Sequence, residues 1–283
     1  MQSDSPAASG NRSLLGMMHL RSCLLMGFAV VLGEAIASQI IPAQAAFGGF
    51  MTGFLLFGAY MVLDDLGRKI DSDNQRSKIT LVGDVKRNEA LSFALVLASV
   101  GLLFAAYLGP STLLIALLSV VVIFVHHAKA RKNYLLGNTF VGANTAITFI
   151  YAGFAVGSLT RMLAIFVMMA FLSSMGREAI KILAQPLKHS VNPQSDEAIN
   201  RSAEAGGQSA VLFVATVVLS IVPPVLGLVS INYFPLIVIC DVGFLLTAYS
   251  MVTSPTSRNA KRNMNYVPVW LSFGLFAFVI GTI

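Results

Sequence analysis

The chain has 283 residues, 56% of them hydrophobic and only 11% charged, with a mean hydropathy of +0.76. A soluble domain is about one-quarter charged, so this composition excludes a soluble enzyme, a disordered chain and a nucleic-acid-binding domain, despite a net charge of +6. Cys23 and Cys240 lie in apolar runs without CxxC spacing, so neither a disulfide framework nor a zinc site is indicated. What remains is an all-α, polytopic membrane protein.

Runs of about 20 apolar residues cross a bilayer as helices. Residues 1–16 are polar and read as an N-terminal tail, and residues 17–283 as a single transmembrane domain. Nine runs follow in chain order: Cys23–Ile41, Phe47–Leu63, Leu91–Leu108, Ser111–Val125, Asn138–Gly157, Met162–Met175, Ala210–Leu228, Tyr233–Val252 and Tyr266–Ile283. The fourth and sixth are short and are expected to continue as helix into the aqueous phase. With nine spans, 18 of the 19 basic residues fall on one side and only Arg161 on the other. The positive-inside rule then puts the N-terminus in the cytoplasm and the C-terminus outside.

The two longest loops, 64–89 and 176–208, lie on the basic side and hold most of the acidic residues. They predict a polar cap over a helical bundle. Two carboxyls, Glu34 and Asp241, fall inside spans, where the plain reading is a buried, paired or protonated group tying helices together. Gly49-x-x-x-Gly53 and Gly153-x-x-x-Gly157 are small-residue spacings suited to close helix packing.

If span two continues as helix, Asp64 and Asp71 lie on one face, two turns apart, and Asn74 and Lys78 extend the same stripe. Such a stripe suits a magnesium–polyphosphate site, since Mg2+ is held by one or two carboxylates together with phosphates and waters. It equally suits a solvated helix end. Arg177 and Lys181, four residues apart at the second loop, could grip an anion or simply sit at the interface.

These loops, after spans two and six of nine, carry a resemblance to the UbiA superfamily of intramembrane prenyltransferases, most closely its archaeal branch, the digeranylgeranylglyceryl phosphate synthases. The likeness runs from about Leu20 almost to the end of the chain. It includes the opening Cys23–Gly33, the segment Leu135-Leu136-Gly137-Asn138, the segment Gly176-Arg177-Glu178-Ala179-Ile180-Lys181, and Asp241 in span eight. The resemblance implies a reaction in which Mg2+ held by two aspartate-rich motifs binds a prenyl diphosphate. The C–O bond ionises and an acceptor captures the allylic cation. For the archaeal branch the donor is geranylgeranyl diphosphate and the acceptor geranylgeranylglyceryl phosphate, giving an ether phospholipid precursor. The tails would lie in the bundle among membrane lipids, and no nucleic acid takes part.

The sequence departs from the family pattern N-D-x-x-D-x-x-x-D by placing Leu63 and Gly67 where an Asn and the middle Asp belong, keeping Asp64 and Asp71, then Asn74, Lys78 and Gly83. The second motif, D-x-x-D-x-x-x-D, is replaced by Ile182, Gln185 and His189, and the span-one substrate Asn by Cys23 or a neighbour. The resemblance therefore assigns Asp64 and Asp71 to catalysis and metal binding. It assigns Asn74, Lys78, Arg177 and Lys181 to the diphosphate, with Lys188 and His189 as further candidates. A non-catalytic or metal-independent homologue, or a quinone-type acceptor, is the alternative.

Overall fold

The computed structural model describes residues 14–38, 40–73, 87–128, 134–184 and 196–282. Its elements are α1 (Leu14–Met17), α2 (Leu20–Ala37), α3 (Ala43–Asp73), α4 (Arg87–Leu108), α5 (Pro110–Ala128), α6 (Tyr134–Ala155), α7 (Arg161–Ala184), α8 (Asp196–Ser220), α9 (Val222–Val225), α10 (Tyr233–Thr253) and α11 (Ser257–Gly281). All are helical, and nine have 18 residues or more among the described residues. Seven helices are long and apolar enough to cross a membrane: α2, α3, α4, α7, α8, α10 and α11. The apolar part of α5, Pro110–Val125, is shorter. In α6, Asn138, Asn144, Thr145 and Thr148 dilute the hydropathy. Each of the nine expected runs overlaps one of these nine long helices, and seven of the nine are long and apolar enough to cross a membrane among the described residues.

Local chemistry sets the breaks. Gly109, at φ +147, and Pro110 separate α4 from α5, and the Ala105 carbonyl accepts from both the Gly109 amide at 3.3 Å and the Thr112 hydroxyl at 2.7 Å. Thr160 caps α7 by accepting from the Leu163 amide at 3.1 Å. The seventh apolar run does not continue to Leu228 as one helix. Pro223 and Pro224 lack amide donors, so α8 ends at Ser220 and only the single turn α9 follows. Gly157, at φ +65, with nothing near its missing Cβ, serves a left-handed turn after α6 and is not the packing glycine its spacing suggested. The other spacing does pack: Gly49 and Gly53 of α3 bring α2 within contact of their backbone.

Short linkers make α2/α3, α4/α5, α6/α7 and α10/α11 antiparallel neighbours, so the chain runs up and down between a basic end and a far end. One half is built from α2–α6 and the other from α7–α11. They are joined where α7 packs on α6 and where α2 packs on α11 and α7. On α4, Ala90, Ala94, Leu97, Gly101 and Ala105 form the buried stripe, while Leu95, Leu103 and Tyr107 are more than 60% exposed. Small residues inward and large apolar residues outward is the pattern of a helix facing lipid. The second half is sealed by Phe166, Phe213, Phe244 and Phe278, with Phe213 and Phe244 stacked at 5.0 Å. The chain is a multi-pass membrane protein.

Candidate active site

At the basic end, α3 runs on as one helix past the end of its apolar stretch at Leu66 to Asp73. That continuation keeps Asp64 and Asp71 in helical register on one face, about 10 Å apart along the axis. Asp64 is half-buried, between Val62 and Leu66, which are fixed in the apolar cluster formed with α4. The description of Asp71 extends only to its helical backbone, and Asn74 and Lys78 lie outside the described residues, as do Lys188 and His189. The side chain of Ile182 and the whole of Gln185 are likewise not described.

On α7, Arg177 is exposed and Lys181 is half-buried. The Lys181 ammonium donates to Glu178 Oε2 at 2.9 Å, one turn back on the same helix. Such a pair is worth about 0.5 kcal/mol, so a diphosphate could displace Glu178 at small cost. The end of α7 is held in place where Ser257, at the start of α11, donates to the Ala184 carbonyl at 3.4 Å.

Cys23, where the resemblance expects an Asn near substrate, is fully buried, and its thiol donates to the Met18 carbonyl at 2.9 Å. A left-handed turn at His19, φ 50, folds α1 back so that Met17 and Met18 pack into the same cluster as Val62 and Leu66. The Cys23 thiol therefore faces this turn and closes the local packing.

The two carboxyls within spans behave differently. Asp241 ties helices together as expected: Ser220 of α8 donates to its Oδ2 at 2.7 Å, and Tyr233 donates to the Ser220 carbonyl at 2.9 Å. Ser220→Ala is expected to lower stability in detergent by about 1–2 kcal/mol, because it strips the partner from a half-buried carboxyl inside a span. Thermal unfolding of the purified variant measures it, and an unchanged midpoint would dismiss the tie. Glu34 forms no such tie. It is fully buried, and neither carboxyl oxygen has a hydrogen-bond partner among the described residues.

Between α2, α3, α5 and α6 lies a narrow interior cavity of about 30 Å³, lined in part by Thr52, Ser119, Asn144, Thr148 and Tyr151. Sequence reading passed over these residues, although Asn144, Thr148 and Tyr151 recur at helical spacing on one face of α6 and so carried a signal. The cavity is far too small for an isoprenoid tail, which would require the helices around it to part. A wider recess of about 630 Å³, lined by Leu172, Val211, Val214 and Val218, opens on the outer surface between α7 and α8.

At the basic end α3 carries two in-register carboxylates and the end of α7 carries Arg177 and Lys181, residue types suited to a diphosphate. Residues 24–274 match the model of the UbiA prenyltransferase family. The chain belongs to that family. Its enzyme class follows: it is a prenyltransferase. Similar proteins include digeranylgeranylglyceryl phosphate synthase of Methanococcus maripaludis, 27% identical over 94% of this chain and 96% of that one. The synthase of Methanosarcina mazei is 26% identical over 97% of this chain and 99% of its own. Among solved structures, a digeranylgeranylglyceryl phosphate synthase superposes with a TM-score of 0.75 at 24% identity, covering 95% and 97% of the two chains. A UbiA homologue from Aeropyrum pernix K1 superposes at 0.72 with 14% identity, covering 91% and 98%.

Members of the UbiA family generally use Mg2+. Among the described residues no group of three His, Cys, Asp or Glu side chains is placed to hold a metal. The donors that remain still suit magnesium in the manner of a substrate-assisted site, with one carboxylate and phosphate oxygens completing the shell. The backbone positions of Asp64 and Asp71 are about 10 Å apart along α3.

Proposed function

We propose that the chain transfers a geranylgeranyl group from geranylgeranyl diphosphate to the free hydroxyl of geranylgeranylglyceryl phosphate, making digeranylgeranylglyceryl phosphate. The observation that carries this reading is the unbroken α3, which holds Asp64 and Asp71 in the register of the family's first motif. Supporting it are relatives of that printed activity along more than nine-tenths of the chain. In this reading nine helices span the membrane, the N-terminus and the two cap loops are cytoplasmic, and the C-terminus is outside, as the distribution of 18 of 19 basic residues supports.

Magnesium, when bound, neutralises the leaving diphosphate. Asp64 and Asp71 hold the metal–diphosphate complex from α3, with Asn74 and Lys78 just beyond. Arg177 and Lys181 face it from α7 as cations in place of the missing second aspartate motif, stabilising charge that grows as the allylic C–O bond breaks. The acceptor oxygen then forms the new C–O bond, and its proton leaves with the diphosphate.

Lys181→Met is expected to raise KM for the prenyl diphosphate about tenfold, the loss of one charge-assisted contact, while Glu178→Ala leaves KM unchanged or lower. Steady-state kinetics on both variants separates a substrate contact from a structural pair, because a merely structural pair would make the two variants behave alike. The acceptor is tested by offering labelled geranylgeranyl diphosphate together with geranylgeranylglyceryl phosphate and a hydroxybenzoate. Label in the phospholipid supports the reading, and label in the aromatic product moves the protein to the quinone-type branch. The absence of carboxylates at Ile182, Gln185 and His189 favours a second reading, a homologue that binds prenyl lipid without turning it over.

A further inference from the structure

The start of α11 carries three cations that neither the packing nor the diphosphate site uses. Arg258, Lys261 and Arg262 are exposed, and among the described residues none has a hydrogen-bond or ion-pair partner. Lys181, at the same end of the bundle, is by contrast paired with Glu178. At about 100° per residue the three cations fall in one sector of the helix, opposite the buried face formed by Ala260, Asn263, Val267 and Ala277. Toward the far end the same sector continues as Val269, Phe276 and Ile280, all exposed and apolar. One outward face of α11 is therefore cationic at the basic end and apolar within the span.

The turn before α11 holds this face in place. The Thr256 hydroxyl accepts from the Asn259 amide at 3.3 Å, and the Asn259 side chain donates to the Ser254 carbonyl at 3.1 Å. Asn263 donates to Ser250 of α10 at 3.1 Å, which sets those two residues at one level. Tyr249 and Tyr266 flank that level and are both exposed, as tyrosines are at a membrane–water interface. Arg262 stands about 6 Å and Lys261 about 7.5 Å from Tyr266 along the axis, toward the basic end. The headgroup layer is about 5–7 Å deep, so both stand at the depth of lipid phosphates, with Arg258 one turn further out. The positive-inside rule asks only for cations on this side, not for three unpaired ones on one face in line with an exposed apolar stripe. A second copy would bring the same cations against this face and is disfavoured by like charge. We propose that the outer face of α11 binds an anionic phospholipid, with its phosphate held by Arg258, Lys261 and Arg262 and its chain lying along Val269 and Phe276. The site stands apart from the diphosphate and does not depend on which prenyl acceptor the protein uses.

The chain carries its own probe. Trp270 is the sole tryptophan, about 12 Å along α11 from Arg262 and stacked on Tyr266 at 6.2 Å. The full chain is reconstituted in phosphatidylcholine vesicles containing a fixed fraction of chain-brominated phosphatidylglycerol or, in parallel, chain-brominated phosphatidylcholine, since bromine quenches an adjacent indole. The anionic lipid should quench Trp270 as though enriched about fivefold beside it, the equivalent of ~1 kcal/mol. Replacing Arg258, Lys261 and Arg262 together by Gln should bring the two lipids level, whereas Arg258→Lys with Arg262→Lys should keep the preference. Arg21→Gln with Arg87→Gln, which removes exposed cations elsewhere on the basic side, should leave it unchanged. Equal quenching in the wild type, a preference that survives the triple Gln variant, or one that the Arg21 and Arg87 changes also remove would overturn the proposal. Weak quenching by both lipids, the mark of a face covered by protein, would overturn it as well.

Discussion

Asp64→Asn is expected to lower kcat/KM for the prenyl diphosphate by about 10²–10³-fold, ~3–4 kcal/mol of transition-state stabilisation. Asp71→Asn is expected to do the same. The magnitude is that of removing one group aimed at charge that develops only as the bond breaks. Stability should change little, because Asp64 is half-buried at the basic end of α3 and its neighbours Val62 and Leu66 keep the apolar packing. The useful measurement is therefore kcat/KM against added Mg2+, with a melting curve beside it. Should both variants keep wild-type turnover while Lys181→Met loses it, the diphosphate is held by cations alone and the metal-independent version is correct.

The second large effect concerns folding. Gly49→Ala places a methyl group on the Glu34 carboxyl and within 3.1 Å of Val30 Cγ1, where α3 packs on α2. Overpacking of this kind costs about 1–3 kcal/mol. Removing the obstructing carboxyl should restore much of it, so Gly49→Ala combined with Glu34→Ala should be more stable than the sum of the single changes predicts. Thermal unfolding in one detergent, with the four proteins arranged as a double-mutant cycle, reads the coupling directly. Strict additivity would mean that Glu34 and Gly49 do not press on each other.

How much of this was legible beforehand can be judged residue by residue. The helices were, because lipid requires long apolar runs, and Ser111–Val125 reappears inside α5 just as Leu91–Leu108 reappears inside α4. The register of Asp64 and Asp71 was legible as well, since it needs only a helix that does not stop at the interface. The break at Pro223-Pro224 could have been read from the missing amide donors, yet a purely apolar count ran through it. Gly157 misled because spacing alone does not distinguish a packing glycine from one that turns the chain. The interior cavity was illegible for a different reason: Thr52, Ser119 and Asn144 come from three helices, and only the packing of α3, α5 and α6 brings them together. Glu34 and Asp241 looked alike in sequence, and only the placement of Ser220 separates them.

With two motif aspartates in place of six, the chain is expected still to transfer a prenyl group. The most direct measurement is a reconstituted reaction containing the purified protein, labelled geranylgeranyl diphosphate and geranylgeranylglyceryl phosphate, with and without Mg2+. Magnesium-dependent appearance of labelled digeranylgeranylglyceryl phosphate, with one diphosphate released per ether formed, is the predicted result. No ether and no released diphosphate under any divalent ion would contradict it, leaving a prenyltransferase fold that has kept its architecture and lost its chemistry.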